Sequence, residues 1–142
     1  MKKLFIALMI ISSSTSAFAT SSIQTEARCT LAQAKMDLGI LVEINSYTGP
    51  GTIGKSPIFS AEVSKFMLGH KTVTEFTKLR KITPKAGVMG GSVSYTGQDF
   101  NLELLTDSAP QTDGKVRAEL TYEINGARNV EQMNCDLNPS NN

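Results

Sequence analysis

The stretch Lys115-Val-Arg-Ala-Glu-Leu-Thr-Tyr-Glu-Ile-Asn125 alternates polar and apolar side chains without a break. Val116, Ala118, Leu120, Tyr122 and Ile124 fall on one face of an extended chain, and Lys115, Arg117, Glu119, Thr121 and Glu123 on the other. A period of two residues marks a strand with one face in a core and one in water. Asn125-Gly126 follows at once, and this dipeptide favours the type I′ hairpin turn, so residues 127–137 are expected to return antiparallel. With Asn125 and Gly126 as the loop, Val116 faces Cys135 and Ala118 faces Met133 on the buried side, while Glu123 faces Arg128 on the wet side. The same register turns Glu131 inward opposite Leu120 and Val130 outward, and a β-bulge between Arg128 and Met133 is the expected repair.

A second hairpin lies just upstream. Val93 and Tyr95 alternate with Ser92, Ser94 and Thr96, and Phe100, Leu102 and Leu104 alternate with Asn101 and Glu103, around a turn at Gly97-Gln98-Asp99. Residues 106–114 hold almost only turn and loop formers. Nearer the N-terminus, residues 28–34 and 40–46 fit two strands, although Leu31, Ala34, Leu38 and Leu41 also fit a helical face. Residues 48–57 form a Gly/Pro-rich loop, and residues 83–91 another. Residues 58–68 and 72–82 are ambiguous. Phe59, Val63, Phe66 and Met67 suit one side of a helix, and Thr72 with Glu75 a capping box. The density of Thr, Val and Phe favours strands, with Leu68-Gly69-His70-Lys71 as a hairpin turn. Tyr-Thr-Gly occurs at 47–49 and 95–97 with unmatched flanks, which indicates two similar strand-to-turn junctions rather than a repeat.

Short strands at this spacing predict a mainly β fold, a small antiparallel β-sandwich or barrel closed by one disulfide. The alternative is an α+β domain with one or two short helices in 58–82.

Residues 1–19 have the pattern of a signal peptide: Lys2 and Lys3, an apolar run from Leu4 to Ile11, and the small-x-small site Ala17-Phe18-Ala19. The apolar run is far short of the roughly 18–20 residues that span a bilayer. The charges before Cys29, at Glu26 and Arg28, do not suit a lipidated cysteine. The expected division is a signal peptide at 1–19, a flexible lead-in at 20–27, one β domain at 28–137 and a flexible tail at 138–142, with no transmembrane segment once the signal is removed. The expected location is the periplasm or extracellular space of a bacterium. Cys29 and Cys135 are the two cysteines, and in an oxidising compartment they have one intramolecular pairing open to them.

The signal takes two of the 14 basic residues and none of the 13 acidic ones, leaving a formal charge of −1. That argues against nucleic-acid binding, which needs an excess of positive charge. The charge is uneven, however. Residues 55–85 carry seven basic and two acidic groups, and residues 86–142 carry three basic and eight acidic ones. Lys71, Lys78, Arg80, Lys81 and Lys85 crowd the end of the basic stretch, a candidate surface for an anionic envelope component. The competing reading is that these cations pair with Glu103, Glu119 or Glu123 on neighbouring strands.

Catalytic constellations are not evident. His70 is the single histidine, no Gly-x-Ser-x-Gly elbow exists, and both cysteines are expected in the disulfide. No ligands sit at zinc-chelating spacing, and Met67 with His70 is a weak basis for copper because methionines commonly fill cores. Glu119 and Glu123 share a strand face, but a solvated one, and no tryptophan is present to stack a sugar. Gly87, Gly90 and Gly91 lack the lysine and spacing of a phosphate loop. The expected function is binding without catalysis, metal or cofactor. The partner is an anionic envelope component, or alternatively another protein engaged by an inhibitor-like or adhesin-like module.

Overall fold

The computed structural model describes residues 21–33, 35–50, 55–85, 92–105, 114–137 and 139. Eight strands follow one another: β1 (Ser22–Leu31), β2 (Leu38–Thr48), β3 (Ile58–Met67), β4 (His70–Ile82), β5 (Val93–Gly97), β6 (Phe100–Leu104), β7 (Val116–Ile124) and β8 (Ala127–Leu137). Each pairs antiparallel with the next, and β8 pairs with β1, so the sheet closes into a barrel. Residues 58–82 form the β3–β4 hairpin, and the helical alternative for them does not hold.

The core is the lumen. Ile40, Val42, Ile44, Val63, Leu102, Leu104, Leu120, Tyr122 and Met133 point inward and are all below 5% exposed. Eight strands enclose about as much space as side chains can fill. The outer face is polar, carrying residues such as Arg28, Glu43, Glu62, Glu103 and Glu119. A lipid-spanning barrel needs the reverse pattern, apolar outside and polar within. Among the described residues no helix is long and apolar enough to cross a membrane.

Cys29 and Cys135 are Cα partners across the β1–β8 seam and form the disulfide, both fully buried. It sits at the middle of a ladder of only five pairs, Ala27–Leu137 to Leu31–Met133. The last hairpin has the derived register throughout, from Val116–Cys135 to Ile124–Ala127, with Asn125 and Gly126 both at positive φ.

Three expectations need correction. No bulge interrupts β8. Glu131 does face inward opposite Leu120, but β1 ends at Leu31, opposite Met133, so Glu131 lies at the rim of the lumen. There Lys35, from the β1–β2 turn, donates to it at 2.6 Å, and an inward carboxylate needs no repair. The lead-in at 20–27 is instead mostly strand, because β1 begins at Ser22 and pairs along β2 from Thr48. The scattered methionines divide, with Met133 buried in the core and Met36 and Met67 exposed. Residues 1–19, and all of the 138–142 tail except the buried Pro139, lie outside the described residues.

The Tyr-Thr-Gly pairs are not equivalent, for Tyr47 is exposed and Tyr95 is buried. Gly97 packs closely on Leu79: a Cβ there would meet Leu79 Cδ2 at 2.7 Å, so that side chain would have to shift.

Two measurements check this architecture. Cys135→Ser frees the seam and is expected to lower unfolding stability by about 4–5 kcal/mol in denaturant titration, the chain-entropy value for so long a loop. Leu68, at φ 49°, adopts a left-handed conformation at the β3–β4 turn, which ordinary L-residues enter at a cost of roughly 1–2 kcal/mol. Leu68→Asn, which recreates the Asn-Gly dipeptide of the last turn, is expected to raise the melting temperature.

Candidate functional site

The β3–β4 hairpin positions the basic segment. Inward residues pair Val63 with Thr74 and Ala61 with Phe76, and the register then slips so that Phe59 pairs with Leu79. One extra residue on β4 is accommodated at Thr77–Lys78, with Lys78 at φ 58°. The bulge shifts the alternation by one place. Lys71 precedes it, and Lys78, Arg80 and Lys85 follow, all four exposed.

Lys81 departs from the sequence expectation. After the bulge it shares the inward phase of Leu79 and pairs with Tyr95, which is 2% exposed. Its ammonium lies 5.7 Å from the Phe59 ring centroid and 5.5 Å from that of Tyr95, and donates to Glu26 Oε2 at 3.0 Å. Glu26 is itself the extra residue of a second bulge, on β1 between Thr25 and Ala27. Its other oxygen accepts from Ser46 Oγ at 2.8 Å. β1 and β4 are not neighbours in the sheet, so this ion pair crosses the end of the lumen where the long loops leave. Lys81 therefore braces the rim of the barrel while its side chain stays about one-third exposed.

The electrostatics of this network are consistent with its geometry. Burial opposes the charge on Glu26, yet the hydrogen bonds from Lys81 and Ser46 and the Lys81 charge outweigh it and hold the carboxyl below its usual range. Burial likewise works against the Lys81 ammonium, and Glu26 and Tyr95 together raise it above its usual range. Burial pushes the Tyr95 phenol up. At the opposite end, burial first and the nearby Glu131 charge second raise Tyr122.

Lys71, Lys78, Arg80 and Lys85 form no ion pair among the described residues. Ion pairs join Arg28 to Glu43, Lys35 to Glu131 and Lys81 to Glu26. Glu103 accepts instead from Ser92 Oγ at 2.6 Å, and Glu119 from Gln132 at 3.0 Å. The proposed internal neutralisation by the acidic strands is therefore not formed at these two residues. Lys71 rests 5.6 Å above the Phe66 ring, which lies over Gly39, where a Cβ would meet it at 3.5 Å. Lys78 and Arg80 line an open cleft of about 710 Å³ between the β4 bulge and the β5–β6 turn. Glu75, Thr77, Thr96, Gln98 and Asp99 line it too, so two carboxylates share the cleft with the two cations.

His70 stands exposed beside the Leu68–Gly69 turn. Among the described residues no group of three or more His, Cys, Asp and Glu side chains is placed to hold a metal ion. Comparisons of the chain with models of known families, with curated proteins and with solved structures find no match. The bulge that redirects Lys81 had a signal in the sequence: Phe76 and Leu79 stand three apart where a regular strand would space them by two.

The pair fixes a pH dependence. Glu26, with its lowered value, adds stability above the ordinary carboxylate range, and that stability is lost as pH falls through the lowered value. Lys81, with its raised value, adds stability below the ordinary lysine range, lost as pH rises through the raised value. Glu26→Gln is expected to cost about 1 kcal/mol at neutral pH, a modest figure because the pair is partly solvated. The deficit should shrink as pH falls through the lowered value, where the wild-type carboxylate also protonates. Thermal melts of both proteins across the acid range check this.

Proposed function

We propose that this protein is an exported, disulfide-latched barrel that binds an anionic component of the cell envelope through Lys78, Arg80 and Lys85. The observation that carries the reading is a difference within one exposed basic segment: Lys81 is engaged by Glu26 at the rim of the lumen, while Lys78, Arg80 and Lys85 form no ion pair among the described residues. The Cys29–Cys135 disulfide and the signal-like residues 1–19 support delivery to an oxidising compartment, periplasmic or extracellular. A lumen filled by its own side chains supports action by the outer surface rather than by an enclosed ligand site.

The test uses sedimentation with vesicles rich in phosphatidylglycerol, against vesicles of phosphatidylcholine alone. Each cation near an anionic surface contributes about 1 kcal/mol, so replacing Lys78, Arg80 and Lys85 together with Gln is expected to weaken binding by at least tenfold. The melting temperature should hardly move. Added salt should weaken wild-type binding, because exposed charges are screened over about 8–10 Å at physiological ionic strength. Lys81→Gln should do the reverse, lowering the melting temperature and leaving binding intact. Binding that ignores both salt and the triple substitution refutes the proposal.

A further inference from the structure

The strands of the barrel differ in length, and β4 shows the result. It pairs with β3 from His70 to Leu79 but with β5 only at Arg80, Lys81 and Ile82. On the side away from β3, residues 70–77 have no strand partner among the described residues. The Leu68–Gly69 turn has two residues, both at positive φ, and closes on the pair Met67–His70. Such a turn closes on a hydrogen-bonded pair, and hydrogen-bonded and non-hydrogen-bonded pairs then alternate along an antiparallel ladder. The main-chain N–H and C=O groups of Lys71, Val73 and Glu75 therefore point out from the open edge. Their side chains share the outer face, where Val73 is 48% exposed and Phe66 beside it 41%.

This edge is complementary to itself. We propose that two copies of the chain associate through β4, antiparallel, about a two-fold axis passing through Val73. Lys71 then lies opposite the partner subunit's Glu75 and Glu75 opposite the partner subunit's Lys71. Val73 meets its own counterpart, and Thr72 meets the partner subunit's Thr74. Unlike charges, paired threonines and paired β-branched residues are favourable cross-strand neighbours. The register engages all three outward-pointing residues. Moving the axis by one residue puts Lys71 opposite Val73 or Thr77 and separates it from Glu75. An interface that matches itself under a two-fold closes after two copies. The bulge at Thr77–Lys78 ends the flat edge and limits the ladder to about seven residues. Two further edges are open among the described residues: β8 before Met133, which Lys35 crosses on its way to Glu131, and β1 over Ser22–Glu26 on its β8 side.

Sedimentation equilibrium of the purified, oxidised protein without lipid tests this. Wild type is expected to pass from monomer to dimer as concentration rises. Glu75→Lys and Lys71→Glu each place like charges together at two positions, so each should raise the dissociation constant by about tenfold or more. Mixing these two variants restores unlike charges at both positions, and the mixture should form a heterodimer where neither variant alone associates. All are exposed substitutions, and unchanged melting curves should confirm intact folds. A wild type that stays monomeric, as expected if the edge serves an extended peptide of another protein, overturns the proposal. So does a mixture that fails to associate, or association indifferent to both substitutions.

Discussion

An eight-stranded meander becomes a barrel only when its first and last strands meet, and here they must do so across 106 positions of sequence. Closing so long a loop is entropically costly, and the ladder formed in return is five pairs long. The disulfide at the centre of that ladder constrains the unfolded chain and sets the β1–β8 register in one step. Everything inside depends on this closure. Ala27, Cys29, Met133 and Cys135 are fully buried because the seam holds, and an open sheet would expose their neighbours Val42 and Leu120 to water.

At each end an ion pair sits at the rim of the lumen. Lys35–Glu131 spans the rim at the tight-turn end, and Lys81–Glu26 the rim where the long loops leave. Each places a charge at the boundary between apolar filling and solvent, where it keeps some hydration and still gains a partner. This explains why inward-facing charged residues are tolerated in a barrel this small.

Strong alternation made the C-terminal half legible. β5 to β8 and the register of the last hairpin follow from period-2 patterning and from Asn125-Gly126, although Gly97, expected in the turn, is the last residue of β5 and pairs with Phe100. The β3–β4 hairpin was legible as the favoured of two readings, because the β-branched and aromatic residues outweighed a helical spacing. β1 was missed over Ser22–Ala27, where the chain is polar and mostly exposed and its strand character comes from pairing with β2. The site was half legible. The cations of 71–85 could be found by counting, but which face each occupies depends on a bulge, and one extra residue inverts every later assignment. Glu26 gave no comparable signal, since its inward turn depends on a second bulge among polar neighbours.

The seam also determines how the molecule bears load. The chain enters β1 and leaves β8 at the same end of the barrel, and Cys29 and Cys135 join these strands a few residues in. Tension applied between the two ends would peel apart only the short stretches outside the bridge. The force would then pass directly through a covalent bond, and the 106-position loop behind it would carry none. While the bridge is oxidised, the fold is mechanically shielded from anything that pulls on its ends. Reduction would turn the same barrel into a chain that unzips strand by strand from its seam.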